Sequence, residues 1–129
     1  MRPTKDETML DVAKVLARRG TCLKRKVGCV ITDFNGNILS TGYNGQPKGH
    51  THCDEYAACP AFVDPHLSCS AIHAEVNALI KCPDITKAHI IYITEKPCAK
   101  CQMLIDNTKI ARVVYPDMEI PDDLPQISA

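Results

Sequence analysis

The run His89-Ile-Ile-Tyr-Ile-Thr-Glu-Lys-Pro-Cys-Ala-Lys-Cys101 changes its period in the middle. Residues 89–94 are apolar at nearly every position and rich in isoleucine, the pattern of a strand buried on both faces. Pro97 then suits the first position of a helix, which the spacing predicts to run to about residue 106. Upstream, Ile72, Val76, Leu79 and Ile80 predict a helix over 71–81, stopped by Cys82-Pro83. Downstream, 111–115 reads as a strand, and 116–129, with Pro116, Pro121 and Pro125, as a short extended tail. Toward the N-terminus, Met9, Val12, Ala13, Leu16 and Ala17 predict a helix over 8–19 that Gly20 ends. Strands at 27–31 and 38–43 flank Asn35-Gly36-Asn37, a strong hairpin turn. Residues from Asn44 to about 70 carry two glycines and three prolines and read as a long loop. The order α-β-β-α-β-α-β predicts one α/β domain over 1–129. Its mixed sheet of four to five strands joins an antiparallel hairpin to parallel strands, with helices on the faces.

The 129 residues hold fifteen Lys+Arg and fifteen Asp+Glu, a net charge of zero. That balance disfavours a duplex or long-RNA binder, whose affinity comes from neutralising phosphates, and leaves room for a small phosphorylated ligand. No apolar run reaches 18 residues, so no membrane helix is expected, and the charged N-terminus does not read as a secretory signal. The expectation is a cytoplasmic protein, or one in host cytoplasm if viral. In a reducing compartment the eight cysteines and five histidines point to metal before disulfides.

The chemistry gathers at two motifs. His73-Ala74-Glu75 opens one predicted helix, and Pro97-Cys98-Ala99-Lys100-Cys101 opens the next. Cysteines at i and i+3 share a helix face, so both sulfurs reach one ion, and the helix N-terminus favours the thiolate. His73 adds a third ligand. Three protein ligands leave a fourth position open, the pattern of a catalytic zinc, and Glu75 is then placed as acid and base. A lone C-x-x-C reads equally as a redox pair, and a lone H-x-E arises often by chance. Together, H-x-E and P-C-x-x-C across one strand form the signature of zinc nucleobase deaminases.

The chain resembles deoxycytidylate deaminases over about residues 18–115. The resemblance is carried by Cys22, by Lys26-Val-Gly-Cys-Val-Ile31 and by Ile38-Leu-Ser-Thr-Gly-Tyr-Asn-Gly45 with Pro47 and Gly49. His52-Cys53-Asp54, His73-Ala-Glu-Val-Asn-Ala78 and Val113-Val-Tyr115 belong to it too. It implies a three-layer cytidine-deaminase-like fold and hydrolysis of dCMP to dUMP and ammonia for thymidylate synthesis. A zinc-bound hydroxide would attack, with Glu75 as the proton shuttle. It also implies activation by dCTP and inhibition by dTTP with Mg2+, in a homohexamer. The alternatives are a tRNA-adenosine or single-stranded nucleic-acid deaminase and a catalytically silent zinc module.

For substrate binding the resemblance points to Asn44, whose other reading is a turn residue with a left-handed backbone. Tyr115 reads as a contact to the base or as a half-buried strand tyrosine. Lys24, Arg25 and Lys26 offer phosphate charge or a solvated face, with Lys26 preferred. Gly45 and Lys48 are candidates for the regulatory triphosphate. A second, structural zinc is expected on Cys22, Cys53, His66 and Cys69, with His50, His52 and Cys59 as substitutes. Cys29 and Cys82 are expected in the core.

Overall fold

The computed structural model describes residues 1–21, 25–45 and 72–117. In chain order these form helix α1 (Lys5–Ala17), strands β1 (Gly28–Asp33) and β2 (Ile38–Tyr43), helix α2 (Ala74–Lys81), strand β3 (Ala88–Ile93), helix α3 (Ala99–Asp106) and strand β4 (Arg112–Val114). A short 3-10 turn, Ile85–Lys87, leads into β3. The strands lie in the order β2-β1-β3-β4. β1 is antiparallel to both β2 and β3, while β3 and β4 run parallel. The predicted element order and the mixed sheet are both present.

The sheet separates two apolar layers, and side-chain alternation along each strand assigns residues to them. Val30, Ile90, Tyr92 and Val114 pack with Ala13 of α1 on one face. Cys29, Ile31, Ile91 and Ile93 pack with Ala74, Ala78 and Ile105 on the other. β3 therefore faces apolar side chains on both sides. Cys29 is fully buried and Cys82 packs at the edge of this core, as expected.

Three helix starts differ from the sequence reading. α1 begins at Lys5 rather than residue 8, because Thr4 and Glu7 form a reciprocal capping box. The Glu7 amide donates to Thr4 Oγ1 at 3.1 Å, and the Thr4 amide to Glu7 Oε1 at 3.4 Å. α2 begins at Ala74, not 71, because Ile72 is extended and bridged to Gly45, leaving His73 as the N-cap. α3 begins at Ala99, so Pro97 precedes the cap instead of opening the helix. The hairpin turn is as read: Gly36 has φ 85°, and Asp33 Oδ1 accepts from the amides of Asn35 and Asn37 at 2.9 Å each.

α1 is held by a buried polar contact. Tyr92 Oη donates to Asp6 Oδ1 at 3.0 Å, and Arg112 Nη2 reaches Asp6 Oδ2 at 2.8 Å. The contact fastens the helix to the two strands, β3 and β4, whose far ends carry the site.

Candidate metal centre and active site

The C-terminal ends of β2, β3 and β4 and the N-terminal end of β1 lie along one edge of the sheet. The N-termini of α2 and α3 meet at that edge. Cys98 caps α3 with an extended backbone, φ −70° and ψ 168°, and Cys101 follows in its first turn. The C-x-x-C pair thus spans cap and first turn rather than two positions inside a helix. Two bonds fix the loop ahead of it. The Thr94 amide donates to the Gly28 carbonyl at 3.1 Å, and the Gly28 amide donates to Thr94 Oγ1 at 3.1 Å.

His73 Nδ1 lies 3.3 Å from Cys101 Sγ and 3.6 Å from Cys98 Sγ. The three donor atoms all lie within 4.8 Å of one another. Zn–S and Zn–N bonds of about 2.3 and 2.0 Å in a tetrahedron put N and S about 3.5 Å apart, so the set fits zinc. Cys101 is buried, Cys98 half-buried and His73 exposed, which leaves the centre open on one side. Among the described residues, no other group of three or more His, Cys, Asp or Glu side chains converges this way.

The surroundings polarise the two thiols in opposite directions. The Cys101 backbone amide, with that of Lys100 and the Cys101 thiol, holds Cys98 below the ordinary thiol range. Burial, followed by the charge of Glu75, pushes the Cys101 thiol up. A bound cation reverses that second effect by supplying the charge that burial removes. Glu75, 4% exposed in the first turn of α2, is a buried carboxylate beside the ligand set.

Asn44 sits at the same edge, 7% exposed. Its Oδ1 accepts from the Val27 amide at 2.8 Å, and its Nδ2 donates to the Arg25 carbonyl at 2.9 Å. The left-handed reading of Asn44 is overturned: among the described residues only Asp117, besides Gly36, has a positive φ. Its amide instead ties the segment before β1 to the end of β2. Gly45, a candidate for the regulatory triphosphate, is paired with Ile72. Its amide donates to the Ile72 carbonyl at 3.1 Å, and its own carbonyl accepts from Ile72 at 2.6 Å, so both backbone groups are engaged.

Arg25 pairs with Glu95 at 3.1 Å, while Lys26 beside it is exposed. Tyr115 follows β4 at the site edge, half-buried. Cys22, Lys48, Cys53, His66 and Cys69, with the substitutes His50, His52 and Cys59, lie outside the described residues. Sequence reasoning missed Thr94, Ser40 and Asn77 as anchors. Ser40 Oγ donates to the Ala78 carbonyl at 2.7 Å, and Asn77 Nδ2 to the Tyr43 carbonyl at 2.9 Å, so β2 grips α2 directly. One available signal is the small, polar composition of Ser40-Thr-Gly42, which suits close helix approach.

Comparison with known proteins agrees with this geometry. Residues 3–116 match the cytidine and deoxycytidylate deaminase zinc-binding region. A deoxycytidylate deaminase of Mycobacterium phage D29 is 38% identical over 128 residues, covering 89% of this chain and 96% of the phage protein. The deoxycytidylate deaminase of Schizosaccharomyces pombe is 35% identical over 122 residues, covering 88% of this chain. The chain spans only 37% of that yeast protein's length. The crystal structure of a cyanophage S-TIM5 dCMP deaminase with dCMP and dUMP superposes with a TM-score of 0.69 at 30% identity, covering 89% of this chain and 82% of that one. The expected cytidine-deaminase-like fold is therefore present. With the zinc-binding region matched across nearly all the described residues, the chain belongs to the cytidine and deoxycytidylate deaminase family.

Proposed function

We propose that the protein is a zinc-dependent hydrolase that converts dCMP to dUMP and ammonia. The observation that carries the reading is the buried Glu75 carboxylate standing beside three zinc-type donors, His73, Cys98 and Cys101. A metal that serves folding alone needs no acid–base group beside it. The choice of dCMP is supported by the phage relative, matched over nearly its whole length, and by the cyanophage enzyme crystallised with dCMP and dUMP.

Zinc, when held by these ligands, supplies the Lewis acidity that makes water a nucleophile near neutral pH. Glu75 accepts a proton from the attacking water and delivers it to N3 of the cytosine ring. The same carboxylate carries the second proton to the exocyclic nitrogen, so the C4–N bond breaks with ammonia as the leaving group and C4 keeps the oxygen. Burial keeps bulk water away from the Glu75 carboxylate, so the protons it moves are exchanged within the site. The family resemblance assigns Asn44, Tyr115 and Lys26 to substrate binding, with Lys26 as the cation for the 5′-phosphate.

The reading extends to one domain over 1–129, a second zinc on Cys22, Cys53, His66 and Cys69, and regulation by dCTP and dTTP with Mg2+ in a homo-oligomer. Chain length supports the single domain, the family resemblance supports the regulation, the assembly and Cys22 and Cys53 as ligands, and the His66-x-x-Cys69 spacing supports the other two ligands. The test is the ultraviolet change of deamination on dCMP, deoxycytidine, CMP and dCTP, using zinc-loaded protein with and without each triphosphate. Turnover of dCMP that falls by about 10²–10⁴ in Glu75→Gln is expected. Silence on all four nucleotides with zinc bound overturns the reading.

A further inference from the structure

We propose that Asn77 is a positioning residue that holds His73 and Glu75 in register with the two cysteines, although it touches none of the reacting groups. This rests on the zinc-hydrolase reading of the site. α2 is eight residues long, too short to be stable by itself, so the placement of its first turn must come from outside the helix. Fraying there would move His73 and Glu75 together.

Two clamps from one short piece of chain prevent it. Below the first turn, Asn77 Nδ2 donates to the Tyr43 carbonyl at 2.9 Å. Above it, Gly45 exchanges two backbone hydrogen bonds with Ile72, at 3.1 and 2.6 Å. Tyr43 and Gly45 are two residues apart, so the end of β2 grips both flanks of His73-Ala74-Glu75. The Asn77 amide also donates to the His73 carbonyl at 3.1 Å, closing the first helical bond over the metal ligand. Asparagine is a poor residue for a helix interior, and a side chain spent on a neighbouring strand accounts for its presence there. Ligand geometry of this kind must be held within about 0.5 Å to be productive.

The test uses the full chain with Asn77→Ala and the near-isosteric Asn77→Asp, which removes the donor with little change of shape. Thr4→Ala, which loses the distant α1 cap, serves as the stability control. Zinc affinity is measured by competition with a chromophoric chelator, and kcat and KM on dCMP are measured separately. The expected result is about a tenfold loss of zinc affinity and a fall in kcat with little change in KM in both Asn77 variants. Thr4→Ala should lose melting temperature alone. Zinc affinity unchanged in Asn77→Asp, or reduced equally in Thr4→Ala, overturns the proposal. Zinc affinity needs no substrate, so a wild type that binds zinc yet leaves dCMP untouched refutes the substrate reading and leaves this measurement decisive. Should Asn77→Ala not fold, Asn77→Asp alone decides it.

Discussion

Gly42 lies flat against α2: a Cβ at this position would sit 2.7 Å from the Ala78 nitrogen and overlap the Ala74 carbonyl oxygen. Its backbone is ordinary β-strand, so the requirement is for space and not for an unusual φ. Gly42→Ala must therefore push α2 away from the sheet. A loss of about 1–3 kcal/mol, typical of overpacking, is expected in urea unfolding, with weaker zinc retention.

Glu75→Gln keeps the volume of the side chain and removes its ability to take a proton. Turnover is expected to fall by about 10²–10⁴. Metal analysis should find zinc content unchanged, because the three ligands are His73, Cys98 and Cys101. Loss of zinc in this variant would mean that Glu75 holds the metal instead of moving protons.

Asn44→Ala leaves the buried Val27 amide and the Arg25 carbonyl without their partner. An unpaired buried group costs about 1–3 kcal/mol, measurable in denaturant. If the amide also meets the nucleotide, KM for dCMP rises beyond that of a variant equally destabilised elsewhere, such as Thr4→Ala. Equal KM values would assign Asn44 to architecture alone.

Much of this is legible in the sequence. The two motifs carrying His73, Glu75, Cys98 and Cys101 have local spacing, and a helix start converts spacing directly into direction. Asn35-Gly36 fixed the hairpin for the same local reason. What spacing does not encode is which carbonyl a side chain will meet across the sheet. Thr94, Ser40 and Asn77 act through partners 66, 38 and 34 residues away, and no periodicity carries that information. Asn44 illustrates the same limit. Its turn propensity is a local property, whereas the bonds it makes belong to the tertiary structure.

Tyr92 gives the fold a slope in alkali. Burial, and then the neighbouring Asp6 charge, raises its phenol above the usual value. The protonated phenol is therefore favoured by folding. Its contribution is complete below about pH 10, the unfolded value, and declines as pH rises from there toward the folded one. Tyr92→Phe should be about 1–2 kcal/mol less stable at pH 7, having lost a hydrogen bond to Asp6. Thermal melts above pH 10 should show a shallower decline for the variant than for the wild type. Parallel declines would place the alkaline transition elsewhere, for example at Cys29, whose buried thiol is raised in the same direction.

Removal of metal tests the ligand set independently of catalysis. A ligand bound to the native state alone at about 1,000 times its Kd stabilises by about 4 kcal/mol, so chelation should lower the melting temperature of the zinc-loaded protein by about 10–20 °C. In Cys101→Ser the chelator effect should shrink to the part owed to the second zinc, since the buried sulfur of this site is missing from the outset. A chelator effect undiminished in that variant would place the stabilising zinc on other residues.

The bond from the Gly28 amide to Thr94 joins residues 66 positions apart, and only Glu95-Lys96-Pro97 separates Thr94 from the cysteine pair. The β1–β2 hairpin is a local structure that closes quickly; the β1–β3 pairing must first shut the long loop from Asp33 to Ala88. Until it does, Cys98 and Cys101 have no fixed relation to His73. Zinc capture during refolding is therefore a clock for that one long-range pairing. A metal-sensitive dye followed in stopped flow would time the central strand exchange, while the hairpin registers earlier in circular dichroism.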